Sequence, residues 1–265
     1  MGLRPPHYCA LPRLFRRRRL LIIGCGDIGR RLAALVGKEW RVYGVGRSSE
    51  TLAQIRTVGA VPLDARAGRR RLQDLADWVV HSAPPPANAE HRASASSRGV
   101  GTRSRSEPID KLTREWTARL LQPPRPVERR NHASWRLGSR PLKPKRLVYL
   151  STTGVYGDRQ GRMTLETSAV SPTTDRARRR VDAEQWLRDT CRRSPGLQVT
   201  TLRVPGIYAA DRLPIGRLQE RLPALLPQAD VQTNHIHADD LARMTRIALM
   251  RGRSQRRLNI VDDSN

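Results

Sequence analysis

The sequence predicts an α/β fold of the Rossmann type: a doubly wound parallel sheet with a small, truncated C-terminal substrate lobe. Two observations predict it. An apolar run at residues 20–23 passes through a G-x-G-x-x-G turn into a helical pattern. Short apolar segments then alternate along the chain with amphipathic ones, which is typical of parallel sheets covered by helices.

The glycines of that turn each meet a separate steric demand. Gly24 allows the tight turn, Gly26 the close approach of a pyrophosphate, and Gly29 the packing of helix on strand. The following helix offers unpaired N–H groups and the positive end of its dipole to phosphates. We therefore predict that Gly24, Gly26, Asp27, Ile28 and Gly29 bind a dinucleotide; the alternative is a purely structural strand-turn-helix.

A second strand, residues 40–45, ends where such a fold places the adenine ribose. No carboxylate stands there to bind a 2′-hydroxyl, whereas Arg47 and the hydroxyl of Ser48 suit a 2′-phosphate. NADP is therefore predicted in preference to NAD, unless Arg47 is only a solvated residue at a helix start. A third strand, from residue 60, ends at Asp64, which is expected either near the adenine amino group or as a cap of the next turn.

Further strands are predicted at residues 78–82, 146–150, 198–203 and 257–261, with helices at 51–58 and 178–187 and one ending near 250. Ligands of open parallel sheets bind at the carboxyl ends of the strands. The loops at Gly24, Arg47, Ala83, Thr152 and Pro205 should therefore converge on one crevice.

The chain is predicted to hold one main domain with irregular additions. Residues 1–18 are a basic, flexible extension, and residues 19–265 form the dinucleotide-binding domain. An insert at 84–145, rich in Arg, Ser, Ala and Pro, buries too little apolar surface to offset its chain entropy, apart from one helix at 109–121. The small substrate lobe is assigned mainly to residues 205–257, including a loop at 204–208.

The composition of the chain limits the kinds of binding partner that we expect. The net charge of +26 would attract polyanions, but aromatic residues make up only 4% of the chain, so we see no stacking platform and expect no nucleic-acid binding. We favour the interpretation that the basic excess lies in tails and loops, and a polyanion-binding protein is the alternative that rests on charge alone. The three cysteines match no metal spacing, and no apolar run approaches the ~20 residues of a membrane span. A cytoplasmic protein that binds no membrane is expected.

Four motifs occur in order along the chain: Gly-Cys-Gly-Asp-Ile-Gly at 24–29, Ser-Thr-Thr-Gly-Val-Tyr-Gly at 151–157, Leu-Arg-Val-Pro-Gly-Ile-Tyr at 202–208 and His-Ile-His-Ala-Asp-Asp-Leu at 235–241. Together they resemble the extended short-chain dehydrogenase/reductases, the NAD(P)-dependent epimerase/dehydratase family. The resemblance implies a Rossmann domain, a substrate lobe and a small substrate such as a nucleotide sugar. It also implies that Thr152 is the catalytic hydroxyl, although such a residue often caps the following turn.

The sequence departs from the family where its Tyr-x-x-x-Lys pair is expected, because Arg176 and Arg180 stand near those positions. In this respect it resembles an atypical branch of the family. Arg180 can hydrogen-bond the nicotinamide ribose, but a guanidinium does not exchange protons near neutrality. Asp175 is the nearest carboxylate that would replace the phenol as a catalytic residue, and its alternative role is to serve the helix start.

These observations predict an NADP-dependent oxidoreductase or epimerase that acts on a nucleotide sugar or another small carbonyl or hydroxyl compound. The absent Tyr and Lys keep open a non-catalytic NADP-binding sensor or scaffold. Two histidines at 235 and 237 lie near two aspartates, but the sequence identifies no further ligand, so no metal is predicted. A homodimer is left open.

Overall fold

The structure is a computed structural model, and it describes residues 17–66, 72, 75–85, 109–121, 145–213, 215–220 and 233–262. Its strands are β1 (Arg18–Ile23), β2 (Trp40–Gly46), β3 (Val61–Asp64), β4 (Trp78–His81), β5 (Lys145–Thr152), β6 (Leu197–Val204), β7 (Gly206–Tyr208), β8 (His235–His237) and β9 (Arg256–Asn259). Its α-helices are α1 (Asp27–Val36), α2 (Ser49–Thr57), α3 (Lys111–Leu121), α4 (Asp175–Arg193), α5 (Ile215–Gln219) and α6 (Ala238–Arg251).

Seven strands form one sheet in the order β3-β2-β1-β4-β5-β6-β9, and every neighbouring pair is parallel. The strand order reverses between β1 and β4, so the loops after these two strands diverge and leave a crevice at their carboxyl ends. The predicted fold class, a Rossmann-type doubly wound α/β sheet, is confirmed.

The central strand β1 is buried on both faces. Leu20 and Ile22 point into a core shared with α1 and α6, while Leu21 and Ile23 point into a second core shared with α3 and α4. All four side chains are at most 1% exposed. Each contributes about 1.5–3 kcal/mol of apolar burial, which makes this strand the rigid support of the glycine turn that follows it.

Several element boundaries differ from the sequence prediction, and two of them have a clear physical cause. β1 begins at Arg18, inside the predicted extension, because Arg18 pairs with Trp40 of β2. Helix α4 begins at Asp175 rather than 178, because the Thr174 hydroxyl caps its first turn by accepting from the Ala177 N–H at 3.2 Å. Residues 1–16 of the extension and most of the 84–145 insert lie outside the described residues.

The predicted loop at 204–208 is wrong in part, because it contains β7. This strand pairs in parallel with β8 and forms a separate two-stranded sheet in the C-terminal lobe. The pairing satisfies backbone groups that a loop would leave to solvent, and it buries Ile236 to 1% exposure. Among the described residues, none of the helices combines the length and the apolar character that a membrane crossing requires.

Candidate active site

The glycine turn packs directly against the loop after β4. Gly24 has a φ of +78°, and a Cβ placed on it would lie 2.5 Å from the backbone nitrogen of Ala83. A Cβ on Gly29 would lie 3.0 Å from a methyl group of Ile22, so this glycine brings α1 onto β1. Gly26 differs: a Cβ there would meet no atom closer than the Gly24 carbonyl oxygen, at 4.0 Å. Gly26 therefore leaves free space at the start of α1.

That free space belongs to a crevice of about 350 Å³ at the carboxyl ends of the central strands. Eight of the residues predicted from the sequence line it: Gly24, Gly26, Asp27, Ile28, Gly29, Thr152, Arg180 and Pro205. Residues that were not predicted also line it, among them Ser82, Ser151, Arg176 and Arg212. The crevice therefore joins the glycine turn to the hydroxyl cluster that ends β5.

Ser82 holds the two loops together. Its hydroxyl donates to the Gly24 carbonyl oxygen at 2.8 Å, and the N–H of Ala83 donates to the Ile23 carbonyl oxygen at 3.1 Å. Ala83 is thus placed beside the turn by backbone contacts rather than by its own side chain. A hydroxyl residue directly after a buried strand is the signal in the sequence that points to Ser82.

Thr152 ends β5, and its hydroxyl group can accept one hydrogen bond and donate another. Its Oγ1 accepts from the Gly154 N–H at 3.1 Å and so caps the 3-10 turn at Thr153–Tyr156, which is the alternative role considered from the sequence. An accepting hydroxyl still carries a proton to donate. Since Thr152 also lines the crevice, that proton is available to an oxygen atom bound there.

Arg180 occupies the position near which the family resemblance would place a lysine. It is 5% exposed, and its Nη1 donates to the Tyr149 hydroxyl at 2.9 Å and to the Ala83 carbonyl oxygen at 3.4 Å. Burial raises the pKa of Tyr149 to about 12, although Arg180 acts to lower it. Tyr149 itself is 0% exposed, so this phenol is not a proton carrier for the crevice.

A buried ion pair lies behind the hydroxyl cluster. Glu184 of α4 accepts from Arg203 of β6 through Nε at 3.2 Å and Nη2 at 2.7 Å, and it also accepts from the Ser151 hydroxyl at 2.5 Å. The side chain of Arg203 is 0% exposed and that of Glu184 is 8% exposed. These contacts tie α4, β5 and β6 together directly beneath Thr152. The sequence did not predict this ion pair, because its two residues lie on different secondary-structure elements.

Asp27, the first residue of α1, faces the C-terminal lobe. Its carboxylate accepts from Arg31 at 2.9 Å and from Arg212 at 2.7 Å, while Arg31 also reaches Asp239 at 2.8 Å and Asp211 at 2.6 Å. Partial burial acts to raise the pKa of Asp27, but the hydrogen bonds from Arg212 and Arg31 outweigh it and lower the pKa. Asp27 is therefore a charged link between the glycine turn and the lobe.

Five predicted site residues are not among those that line the crevice: Ala83, described above, and Arg47, Ser48, Asp64 and Asp175. Arg47 is exposed at the end of β2, and the Ser48 hydroxyl accepts from the Thr51 N–H at 3.1 Å, which caps α2. Asp64 accepts from the Arg66 N–H at 2.8 Å, as the turn-capping alternative requires. Asp175 pairs at 2.8 Å with an arginine of its own helix, Arg178. Its place at the first position of α4 suits the helix start.

His237 caps helix α6, and both histidines of β8 contact Tyr208. His237 stands at the N-cap of α6, where Nδ1 accepts from the Asp239 N–H at 3.3 Å. His235 and His237 both contact the ring of Tyr208, whose hydroxyl donates to Asp262 at 2.8 Å. In the part of the chain that the structure describes, no group of three or more metal-ligating side chains comes together.

A parallel sheet with a glycine turn at its switch point and a Ser-Thr-Thr cluster at the end of β5 gives this chain a fold similar to those of solved NAD-dependent epimerases and dehydratases. Residues 132–261 match the model of the NAD dependent epimerase/dehydratase family, and the resemblance predicted from the sequence is confirmed. Protein YeeZ of Escherichia coli K12 is 33% identical to this chain over 96 residues, which cover 36% of this chain and 32% of that protein. The match thus spans about a third of that relative's length.

Solved structures with the same fold cover most of the chain. A conserved protein of unknown function from Silicibacter pomeroyi aligns over 93% of this chain and 73% of its own, with a TM-score of 0.67 and 24% identity. UDP-glucuronic acid 4-epimerase from Bacillus cereus, solved with NAD, covers 93% of this chain and 79% of its own at a TM-score of 0.65 and 16% identity. dTDP-glucose 4,6-dehydratase from Bacillus anthracis, also solved with NAD, covers 94% of this chain and 76% of its own, with a TM-score of 0.63 and 14% identity.

Proposed function

We propose that this protein is an NADP-dependent oxidoreductase or epimerase acting on a nucleotide sugar or another small carbonyl or hydroxyl substrate. The observation that carries the proposal is that the glycine turn and Thr152 line the same crevice. The family match supports epimerase-like chemistry, and the titles of the neighbouring structures name NAD, UDP-glucuronic acid and UDP-glucose as their ligands.

The residues present fit a nicotinamide dinucleotide. The first backbone N–H of α1 bonded within the helix is that of Arg30, so the N–H groups at the start of the helix remain for a pyrophosphate. Gly26 leaves the space in front of them open. Arg47 and Ser48 would hold a 2′-phosphate, Asp64 would lie near the adenine, and Arg180 would hold the nicotinamide ribose. The cofactor, when bound, supplies hydride transfer.

The protein's own contribution to the reaction begins at Thr152. Its hydroxyl donates to the oxygen of the reacting carbon and stabilises charge that develops there. Among the described residues, the crevice is lined by one carboxylate, Asp27, and by arginines, and Asp27 is held ionised by Arg31 and Arg212. None of these groups exchanges a proton near neutrality, so a hydroxyl or water must carry the proton within this lining.

That lining also favours a second candidate, a non-catalytic NADP-binding sensor or scaffold. Such a protein needs the glycine turn and the 2′-phosphate site but no proton carrier. Asp175, which the sequence proposes as a replacement base, lies outside the lining and pairs with Arg178. A cytoplasmic location and a homodimeric state remain predictions from the sequence.

Turnover of NADPH distinguishes the two candidates. With UDP-glucose or UDP-glucuronic acid, whose hydroxyl carbons donate hydride, the wild-type protein is expected to reduce NADP⁺ to NADPH. With a cell metabolite extract that supplies carbonyl compounds, it is expected to oxidise NADPH to NADP⁺, and NADPH fluorescence follows both reactions. Thr152→Val should lower kcat about 100-fold because it removes a donor to the reacting oxygen, while Thr152→Ser should retain most of it. Tight NADPH binding without hydride transfer in either direction would support the sensor instead.

Cofactor preference depends on Arg47. Arg47→Asp should weaken NADPH binding about 10- to 100-fold and favour NADH, because a carboxylate repels the 2′-phosphate and accepts from a 2′-hydroxyl. The measurement is fluorescence titration of both cofactors. Arg56→Asp, an equal charge change at another exposed residue of the neighbouring helix α2, is the control. An unchanged NADPH-to-NADH ratio in Arg47→Asp would show that Arg47 does not contact the cofactor.

A further inference from the structure

Arg180 is a buried cation without an anionic partner. Its side chain lies beneath the crevice at 5% exposure, and both of its hydrogen-bond acceptors, the Tyr149 hydroxyl and the Ala83 carbonyl, are neutral. Its Nε atom is buried and has no hydrogen-bond partner among the described residues. A buried charge left unpaired in this way is costly, so a folded protein retains it where a ligand completes the pairing.

The nearby carboxylates do not supply the missing charge. Glu184, one turn further along α4, is held by Arg203 and by Ser151. Asp110 lies at the start of α3 and accepts from the hydroxyl of Thr113 at 2.8 Å. Neither lies within ion-pair distance of the Arg180 guanidinium in the described part of the chain.

The neighbouring histidine does not offset the cation either. Burial, with Arg180 as the next contribution, lowers the pKa of His81 to about 3. His81 is therefore neutral and adds no competing charge at physiological pH. Among the described residues, no carboxylate within ion-pair distance offsets the positive charge of Arg180.

Arg176 adds a second guanidinium to the same crevice. It precedes Arg180 by four residues, so the two side chains lie on one face of α4. Arg176 is exposed, and within the described ranges no carboxylate comes within ion-pair distance of it. Both arginines line the crevice together with the hydroxyl residues Ser151 and Thr152.

We propose that Arg176 and Arg180 form an oxyanion subsite that binds a carboxylate or phosphoryl group of the substrate beside Thr152. The substrate class is then a small carbonyl or hydroxyl compound that carries its own negative charge close to the reacting carbon. Guanidinium groups suit this ligand because they bind such oxyanions through two parallel hydrogen bonds. The inference rests on the proposed function in placing the substrate in this crevice.

The subsite is distinct in chemistry from a ribose contact. A ribose hydroxyl can accept one N–H of Arg180, as proposed for the nicotinamide ribose, but it is neutral, so the charge of Arg180 stays unpaired. The cofactor phosphates, in turn, are expected at the start of α1, where Gly26 leaves open space. A second anion near Thr152 therefore has to come from the substrate.

Matched pairs of small carbonyl compounds test the charge requirement. Calorimetric titration of NADPH-loaded protein compares pyruvate with methyl pyruvate, and glycolaldehyde phosphate with glycolaldehyde. The charged member of at least one pair should bind about tenfold more tightly or better. Arg176→Gln should remove that preference, whereas Arg178→Gln, an exposed arginine of the same helix, should keep it. Equal binding of charged and neutral members in the wild-type protein would overturn the subsite.

Further variants show whether the bound anion belongs to the cofactor or to the substrate. They also distinguish a failure of the oxyanion subsite from a failure of the proposed function. If Arg176→Gln weakens NADPH binding itself without altering the pyruvate preference, the arginines serve a cofactor phosphate and the substrate subsite is rejected. Arg180→Lys should retain anion preference and Arg180→Gln should lose it; if the latter does not fold, Arg176→Gln decides. Should wild-type protein fail to bind NADPH, the proposed function fails, and the same titrations on unloaded protein still test the oxyanion subsite.

Discussion

A Gly26→Asp variant is expected to lose NADPH binding by at least about 100-fold while keeping the wild-type Tm or exceeding it. The added side chain enters open space, since a Cβ on Gly26 meets nothing within the protein closer than 4.0 Å. Gly26 is the N-cap of α1 with extended backbone angles, and aspartate is favoured at that position. Its carboxylate would take the helix N–H groups and repel a pyrophosphate.

Two other glycines make this experiment specific. Gly216→Asp, at an exposed glycine of α5 with open space around its Cα, should alter neither binding nor stability. Gly24→Ala should instead lower the Tm, because its φ of +78° and its 2.5 Å approach to Ala83 exclude a side chain. NADPH fluorescence titration and thermal unfolding measure the two effects. Undiminished NADPH affinity in Gly26→Asp would show that the dinucleotide does not bind at this turn.

A Glu184→Gln variant is expected to destabilise the protein by about 3–5 kcal/mol, because it leaves Arg203 buried and charged without a carboxylate. The Arg203 side chain is 0% exposed, so bulk solvent does not reach it to offset the lost charge. The change also removes a charged acceptor of the Ser151 hydroxyl at the end of β5. The free energy of unfolding in urea measures the loss.

A surface pair provides the matched control. Glu39→Gln breaks the pair between Glu39 and Arg246, whose side chains are 57% and 32% exposed, and should cost less than about 1 kcal/mol. A double variant, Glu184→Met with Arg203→Met, should recover much of the stability lost in Glu184→Gln, because it removes both buried charges. Similar small losses at Glu184 and Glu39 would contradict the view that this buried pair supports the crevice.

Local patterns in the sequence were sufficient for much of the fold. The apolar run of β1 and the three glycines after it predict a strand, a turn and a helix, because each depends on neighbours within a few residues. The sequence did not predict the element boundaries that depend on a capping residue or on a distant partner strand. α4 begins at Asp175 because Thr174 caps it, and β7 forms because residues about 30 positions later supply β8.

The candidate site likewise contains some residues that the sequence predicted and others that it did not. The sequence places Gly24, Gly26 and Thr152 on strand ends, and strand ends of a parallel sheet meet at one edge, so their convergence was predictable. The pairing of Glu184 with Arg203 was not, because it joins a helix to a strand through side chains alone. The pairing of Arg212 with Asp27 was not predictable either, because the two residues are 185 positions apart, whereas Ser82 carries a local signal as a hydroxyl residue directly after a buried strand.

By itself, then, the sequence determined the glycine turn, the hydroxyl cluster at 151–153 and the absence of the Tyr-x-x-x-Lys pair, all of which are properties of adjacent residues. Only the tertiary structure decided which side chains are buried and which charges are paired. Arg180 is one arginine among many in the sequence, and it becomes a buried cation without an ion-pair partner in the described part of the chain because α4 packs against β5 and β6. That difference arises because desolvation and ion pairing depend on distances across the fold rather than along the chain.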